Sequence, residues 1–357
     1  MKPFLCSIGR IAGTVCAILL IAVFSYIIWQ PGRDLPEDIL FNDLKNGIWL
    51  SHGWFADDAY LQRNRKNPSE FRDAENLTAL FEKLKTHGIH YVFPHLCPVQ
   101  EDGNLPGHDD RQIEKFLDAA QKYDMEVILW TGGILDESAL IHSSAWRKNF
   151  TGSLNQFLLK HPRIAGIQLN VEPLPDGDPA FLLLLDEIRN RIGSGKILSV
   201  AAYPPPTRWQ PNAHVHWSLP YLRQVAARTD LLCVMMYDTG IRYEKFYTSL
   251  MCSWTEELLS VCNGLSCKLL CGIPAYEDEG VSYHNPRVEN ISSALSGIAA
   301  GLHQASDKRS FTGFAIYSDW EMTAEKWKIW DSFTKNSVGH DCKNPEIENF
   351  YKNAIMF

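Results

Sequence analysis

The chain has 357 residues, 45% of them apolar and 21% charged, an ordinary globular composition with room for one large domain or two small ones. Its net charge of −8 is spread along the sequence and Lys and Arg form no basic stripe, so nucleic acid is not an expected partner. No Cys/His spacing fits a zinc site, and no spacing implies an organic cofactor or other metal.

At the N-terminus, Lys2 and Arg10 precede an uncharged, almost wholly apolar run over residues 11–29, a length that can just cross a bilayer as a helix. The run ends in Ser25-Tyr26-Ile27-Ile28-Trp29-Gln30-Pro31-Gly32, without a small-x-small cleavage site, and so reads as an uncleaved signal anchor; a cleaved signal is the alternative. The basic flank keeps the N-terminus cytoplasmic and places Tyr26 and Trp29 in the far interface. The expected organisation is a cytoplasmic tip and single-pass transmembrane anchor over residues 1–30. One domain over residues 31–357 follows, in the periplasm, cell exterior or lumen.

Of nine cysteines, Cys6 and Cys16 fall in the anchor region. Cys233 and Cys271 sit in strand-like runs, where small buried thiols are common. Cys262 and Cys267, flanking Asn-Gly-Leu-Ser, are the expected disulfide, with Cys252 as a competitor; Cys97 and Cys342 complete the set. The sequons at Asn76, Asn149 and Asn290 matter only in a eukaryotic secretory pathway.

Short apolar runs follow at 47–51, 89–93, 126–130, 164–171, 197–202, 231–237, 268–273 and 312–317. Amphipathic stretches separate them at 76–87, 110–123, 146–160, 179–192, 219–228, 247–261 and 286–305. Strand and helix alternating in this way predict a single (β/α)8 TIM barrel. A doubly wound open sheet is the structural alternative, but no Gly-rich phosphate turn follows the first strand.

The fourth run, Ile164-Ala165-Gly166-Ile167-Gln168-Leu169-Asn170-Val171-Glu172-Pro173, carries the most information. Period two sends Gln168, Asn170 and Glu172 to one face, and three polar groups facing inward suit the wet mouth of a barrel. Pro173 and the following Leu-Pro-Asp-Gly-Asp stop the strand just past Glu172, at the end where barrels carry their chemistry. Other strand ends supply His52, Trp54, His95, Trp130, Tyr203, Tyr237, Asp238, Tyr276, Glu277, Tyr317, Asp319, Trp320 and Glu321. Rings that stack on the C–H faces of pyranoses, together with carboxyl groups that grip hydroxyls or protonate a glycosidic oxygen, are the inventory of a cleft for an oligosaccharide or polysaccharide. The plainer expectations are core packing for Trp130 and Tyr317, backbone partners for His52 and His95, and a solvated loop or the cap of the last helix for Asp319.

These motifs resemble the glycoside hydrolase family 18, or chitinase-like, superfamily. Ala165-Gly166-Ile167-Gln168-Leu169-Asn170-Val171-Glu172 is similar to the strand-four signature Asp-Gly-x-Asp-x-Asp-x-Glu. Val234-Met235-Met236-Tyr237-Asp238 resembles strand six, Gly272-Ile273-Pro274-Ala275-Tyr276 strand seven, and Gly313-Phe314-Ala315-Ile316-Tyr317 strand eight, which in the family usually ends in Trp. The resemblance implies that Glu172 protonates the leaving oxygen while the substrate's own acetamido carbonyl attacks the anomeric carbon. It implies sugar and acetamido contacts for Tyr237 and Asp238, and a glycan containing N-acetylglucosamine.

The signature aspartates are replaced by Ala165, Gln168 and Asn170. An amide at 170 can still hydrogen-bond an acetamido group, but it brings no negative charge to a developing oxazolinium and removes a like charge that would help keep Glu172 protonated. Asn170-Val171-Glu172 is also similar to the Asn-x-Glu of glycoside hydrolase family 85 endo-β-N-acetylglucosaminidases. Two alternatives stand beside this one: a two-carboxylate retaining glycosidase using Glu172 and Glu277, and a catalytically inactive chitinase-like carbohydrate-binding protein.

Overall fold

A computed structural model describes residues 2–32 and 44–335, apart from 209, 211 and 279. Eight parallel strands close into a barrel in sequence order. They are β1 (Asn46–Leu50), β2 (Ile89–Pro94), β3 (Glu126–Ile134), β4 (Gly166–Glu172), β5 (Ile197–Ala202), β6 (Leu231–Met235), β7 (Lys268–Pro274) and β8 (Phe311–Tyr317). An N-terminal helix, α1 (Lys2–Ile28), precedes them. Around the barrel run α2 (Asp58–Arg63), α3 (Ser69–Arg72), α4 (Ala74–Thr86), α5 (Asp110–Lys122) and α6 (Ser144–Lys160). The ring is completed by α7 (Pro179–Ile192), α8 (Leu219–Ala226), α9 (Glu244–Cys262), α10 (Ile291–Gln304) and α11 (Ala324–Thr334).

In β4, Ile167, Leu169 and Val171 are buried between strand and helices, while Gln168, Asn170 and Glu172 occupy the other face. Register aligns Gln168 with Trp130 of β3 and Ser199 of β5, and Asn170 with Gly132. Gly132 has φ +144°, and a Cβ there would lie 1.7 Å from the Asn170 carbonyl oxygen, so a side chain would force β3 and β4 apart beside the site. Five of the longer helices begin at side-chain caps that place them after their strands: Asp109 for α5, Ser143 for α6, Asp178 with Pro179 for α7, Asn290 for α10 and Thr323 for α11.

The expected barrel is present, and the differences lie at its edges. β6 stops at Met235, before the 237 boundary expected, because the chain turns there and Asp238 takes φ +61°. The last predicted helix starts at Ile291 and not at 286, because Asn285 closes a turn with the Val288 and Glu289 N–H groups before Asn290 caps the helix. The β1 connection holds α2 and α3, which no periodic run announced, and α11 covers the barrel through buried Trp327 and Trp330. Cys97, Cys233, Cys252, Cys262, Cys267 and Cys271 are free thiols, which corrects the expected Cys262–Cys267 disulfide. Cys262 closes α9, and the buried Cys267 sulfur lies 3.5 Å from the Thr229 hydroxyl. Cys342 lies outside the described residues.

Among residues with described side chains, no helix is long and apolar enough to cross a membrane. The described side chains of α1 include Val15, Ile18, Leu19, Leu20, Ile21, Val23 and Phe24, all exposed. Its last turn meets α9: Lys245 donates to the Tyr26 and Ile27 carbonyls at 2.7 and 3.1 Å, and Trp29 packs on Phe246 with ring centroids 5.4 Å apart.

Candidate active site

Glu172 ends β4 at the C-terminal mouth of the barrel. Burial holds its carboxyl above the ordinary range against the pull of the Asn170 amide, and the negative charge of Asp238 adds to the upward shift. Such a group keeps its proton to higher pH than a solvated carboxyl and can deliver it to a leaving oxygen.

Aromatic rings surround this carboxyl. Tyr237 and Tyr317 lie nearly parallel, 5.6 Å apart at 18°, and Tyr276 meets them edge-on at 5.7 and 5.4 Å. Trp320 stands against Tyr317 at 5.5 Å and is 44% exposed, an open platform at the edge of the group. Burial pushes up the hydroxyls of Tyr203, Tyr237 and Tyr317, that of Tyr317 to about 12, and the charges of Glu172 and Asp238 add to each. These tyrosines and the two carboxyl groups therefore share one electrostatic environment.

Asp238 is set in place by the β7–α10 connection. The Tyr276 hydroxyl donates to Asp238 Oδ1, and the Tyr276 ring stacks on buried His284 at 4.1 Å. His284 Nδ1 lies 3.4 Å from Asp238 and 3.8 Å from Glu289, an electrostatic contact without an aligned hydrogen bond. Burial disfavours the charged imidazole, but Asp238 and Glu289 outweigh it and raise its proton affinity. Buried Glu289 accepts the Thr239 and Gly240 N–H groups, each at 3.0 Å, and so fixes the turn that presents Asp238. The sequence pointed to neither His284 nor Glu289; both lie in a connection with no strand-end position to mark them.

Below Glu172, buried Gln168 donates to the Ser199 hydroxyl at 3.3 Å. Gln168 Oε1 and Asn170 Oδ1 are buried acceptors without a hydrogen-bond partner. Unpaired acceptors inside a barrel mouth are suited to a ligand N–H or O–H.

The remaining candidates are held elsewhere. Glu277 has 58% of its side chain exposed and pairs with Lys326 at 2.7 Å; Asp238 is the carboxylate whose charge acts on Glu172. Trp54 donates its indole N–H to Asp319 at 3.0 Å and meets Phe71 edge-on at 5.3 Å. Asp319, expected in solvent or at a helix cap, also accepts the Ser51 N–H at 2.6 Å, and burial raises its carboxyl to about 6; Thr323 caps α11 instead. His52 and His95, expected on backbone partners, both place Nδ1 2.9 Å from Asp57 Oδ2. Asp57 is only five residues from His52, but it was not recognised as a partner. Trp130 is half-buried with both imidazoles against it at 5.2 and 5.0 Å.

The barrel, with an acidic and aromatic cluster at its C-terminal mouth, is of the chitinase-like type in fold. It is similar to a chitinase from Chromobacterium violaceum, with a TM-score of 0.55 and 13% identity over 84% of this chain and 100% of that one. A chitinase from Rhizomucor miehei gives 0.54 and 15% over 81% and 99%, and a spore cortex-lytic enzyme from Bacillus megaterium gives 0.54 and 15% over 82% and 75%. No family model and no curated protein matches the chain in sequence.

Proposed function

We propose that this chain is a glycoside hydrolase acting on glycans that contain N-acetylglucosamine, with Glu172 as the general acid and the substrate's acetamido group as the nucleophile. The observation that carries this is a strand-four carboxyl whose proton affinity is raised by burial, beside stacked tyrosines, in a barrel similar to those of chitinases. Asn170 Oδ1 offers an unpaired acceptor for an acetamido N–H, and Tyr237 and Asp238, whose electrostatics are linked to Glu172, would contact the acetamido group and the ring. Tyr203, Tyr276, Tyr317 and Trp320 supply faces for neighbouring sugars. Residues 11–29 act as a membrane anchor, with the barrel outside the cytoplasm; the apolar run and its basic flank support this.

A carbohydrate-binding protein without turnover is the second reading. The amides at 168 and 170 favour it, since neither supplies the charge that would stabilise an oxazolinium. Mass-spectrometric detection of cleavage separates the two. The full chain and Glu172→Gln are incubated with chitin, peptidoglycan and N-glycan fragments. Products from the wild type alone support the hydrolase; equal binding by both proteins with no products supports the binder.

A further inference from the structure

The connections after β1 and β2 carry a cluster that the proposed hydrolysis does not use. His52 Nδ1, Asp57 Oδ2 and His95 Nδ1 all lie within 4.8 Å of one another. Both nitrogens are 2.9 Å from the same carboxylate oxygen. We propose that these three residues bind a first-row divalent transition-metal ion.

The donor set and its spacing support this. Two bonds of about 2.1 Å meeting at a right angle hold their donor atoms ~3.0 Å apart, which is the nitrogen–oxygen separation already present. Two imidazoles and one carboxylate at right angles suit an octahedral Co²⁺, Ni²⁺, Mn²⁺ or Fe²⁺, and leave positions open for water or a sugar oxygen. His52, with 30% of its side chain exposed, opens the cluster to the mouth.

The surroundings hold the donors in place as an outer shell does. Asp57 is fully buried, and its other oxygen accepts the Tyr60 N–H at 2.9 Å. The imidazoles stack at 3.9 Å, with Trp130 edge-on to both. Among the described residues, the ion-pair partners of Asp57 are His52 and His95, with no Lys or Arg. Arg63 is a cation whose charge reaches His95 and would oppose an incoming ion.

A second cluster, His108, Asp110 and His161, makes a useful contrast. Lys160 already pairs with Asp110 at 2.5 Å, and both His161 nitrogens are engaged, with Glu114 and Asp110. A metal ion there would have to displace a lysine.

The test is a Co²⁺ titration of the full chain, purified in detergent and stripped with chelator, followed by visible d–d absorption and by calorimetry. The expected result is one ion per chain, with the absorption lost in Asp57→Asn and affinity at least ~10-fold weaker in His52→Gln, a partly exposed position whose replacement leaves Asp57 paired with His95. Asp110→Asn should titrate like the wild type. Thermal melts of each variant identify one that has failed to fold, in which case His52→Gln decides. The proposal is overturned by a wild type that binds no Co²⁺, by binding that survives both Asp57→Asn and His52→Gln, or by binding lost in Asp110→Asn.

Discussion

One barrel mouth holds two buried carboxyl groups that their surroundings treat in opposite ways. Glu172, between Asn170 and a set of tyrosines, is pushed toward its neutral form by burial and the charge of Asp238. Burial would raise Asp57 too, but hydrogen bonds from His52, His95 and the Tyr60 N–H hold its carboxyl well below the ordinary range. The residue types are nearly the same; the partners decide. Burial among hydroxyl-bearing rings favours the acid form of one, and two imidazoles favour the anion of the other, fit to orient rings or hold a metal.

The contrast can be broken from either side. The largest effect belongs to Glu172→Gln, which keeps the shape and removes the proton: turnover should fall by about 10²–10⁴-fold with glycan binding retained, as measured by product formation beside calorimetry. Next, Asp57→Ala should cost about 3 kcal/mol in denaturant unfolding at neutral pH, because it strips two partly buried imidazoles of their shared acceptor. The sign in pH follows from the depressed carboxyl: the Asp57 contribution is complete above its unfolded value and is lost as pH falls below about 4.

Asp238→Asn sharpens the other side. Removing the like charge makes Glu172 a stronger acid, so the alkaline limb of the pH–rate profile should move to lower pH; a limb that stays in place would show that Asp238 does not act on Glu172. The smallest effect is expected at Asp319. Its carboxyl is raised to about 6, so the folded state gains protons over the unfolded chain and loses stability as pH rises from about 4 to about 6. Asn at 319 should remove that slope, worth roughly 1–2 kcal/mol for a group still partly open to solvent, in unfolding curves compared at the two ends of the window.

The two sides also differed in how much their residues disclosed beforehand. Glu172 was legible because period two in β4 and a proline stop place it at a strand end, and the eight alternations made the barrel itself readable. Tyr237, Tyr276 and Tyr317 were found by the same rule and do gather around it. Asp57 was missed because it sits in a loop before α2, and His95, its second partner, is 38 residues further on; the parallel pairing of β1 with β2 brings them together. His284 and Glu289 were missed for the same reason, as parts of a connection that acts on the site through Asp238. Glu277 shows the converse: a strand-end carboxylate at the right position in sequence is given to Lys326 in the first turn of α11.

The most direct test of this account is an infrared titration of carboxyl C=O bands in the wild type, with Glu172→Gln and Asp57→Asn as difference references. It requires no substrate and applies equally to an enzyme or a binder. The account predicts a protonated band that persists above the ordinary carboxylate range, vanishes in Glu172→Gln and is untouched in Asp57→Asn. A Glu172 that has already ionised at its ordinary value would contradict it.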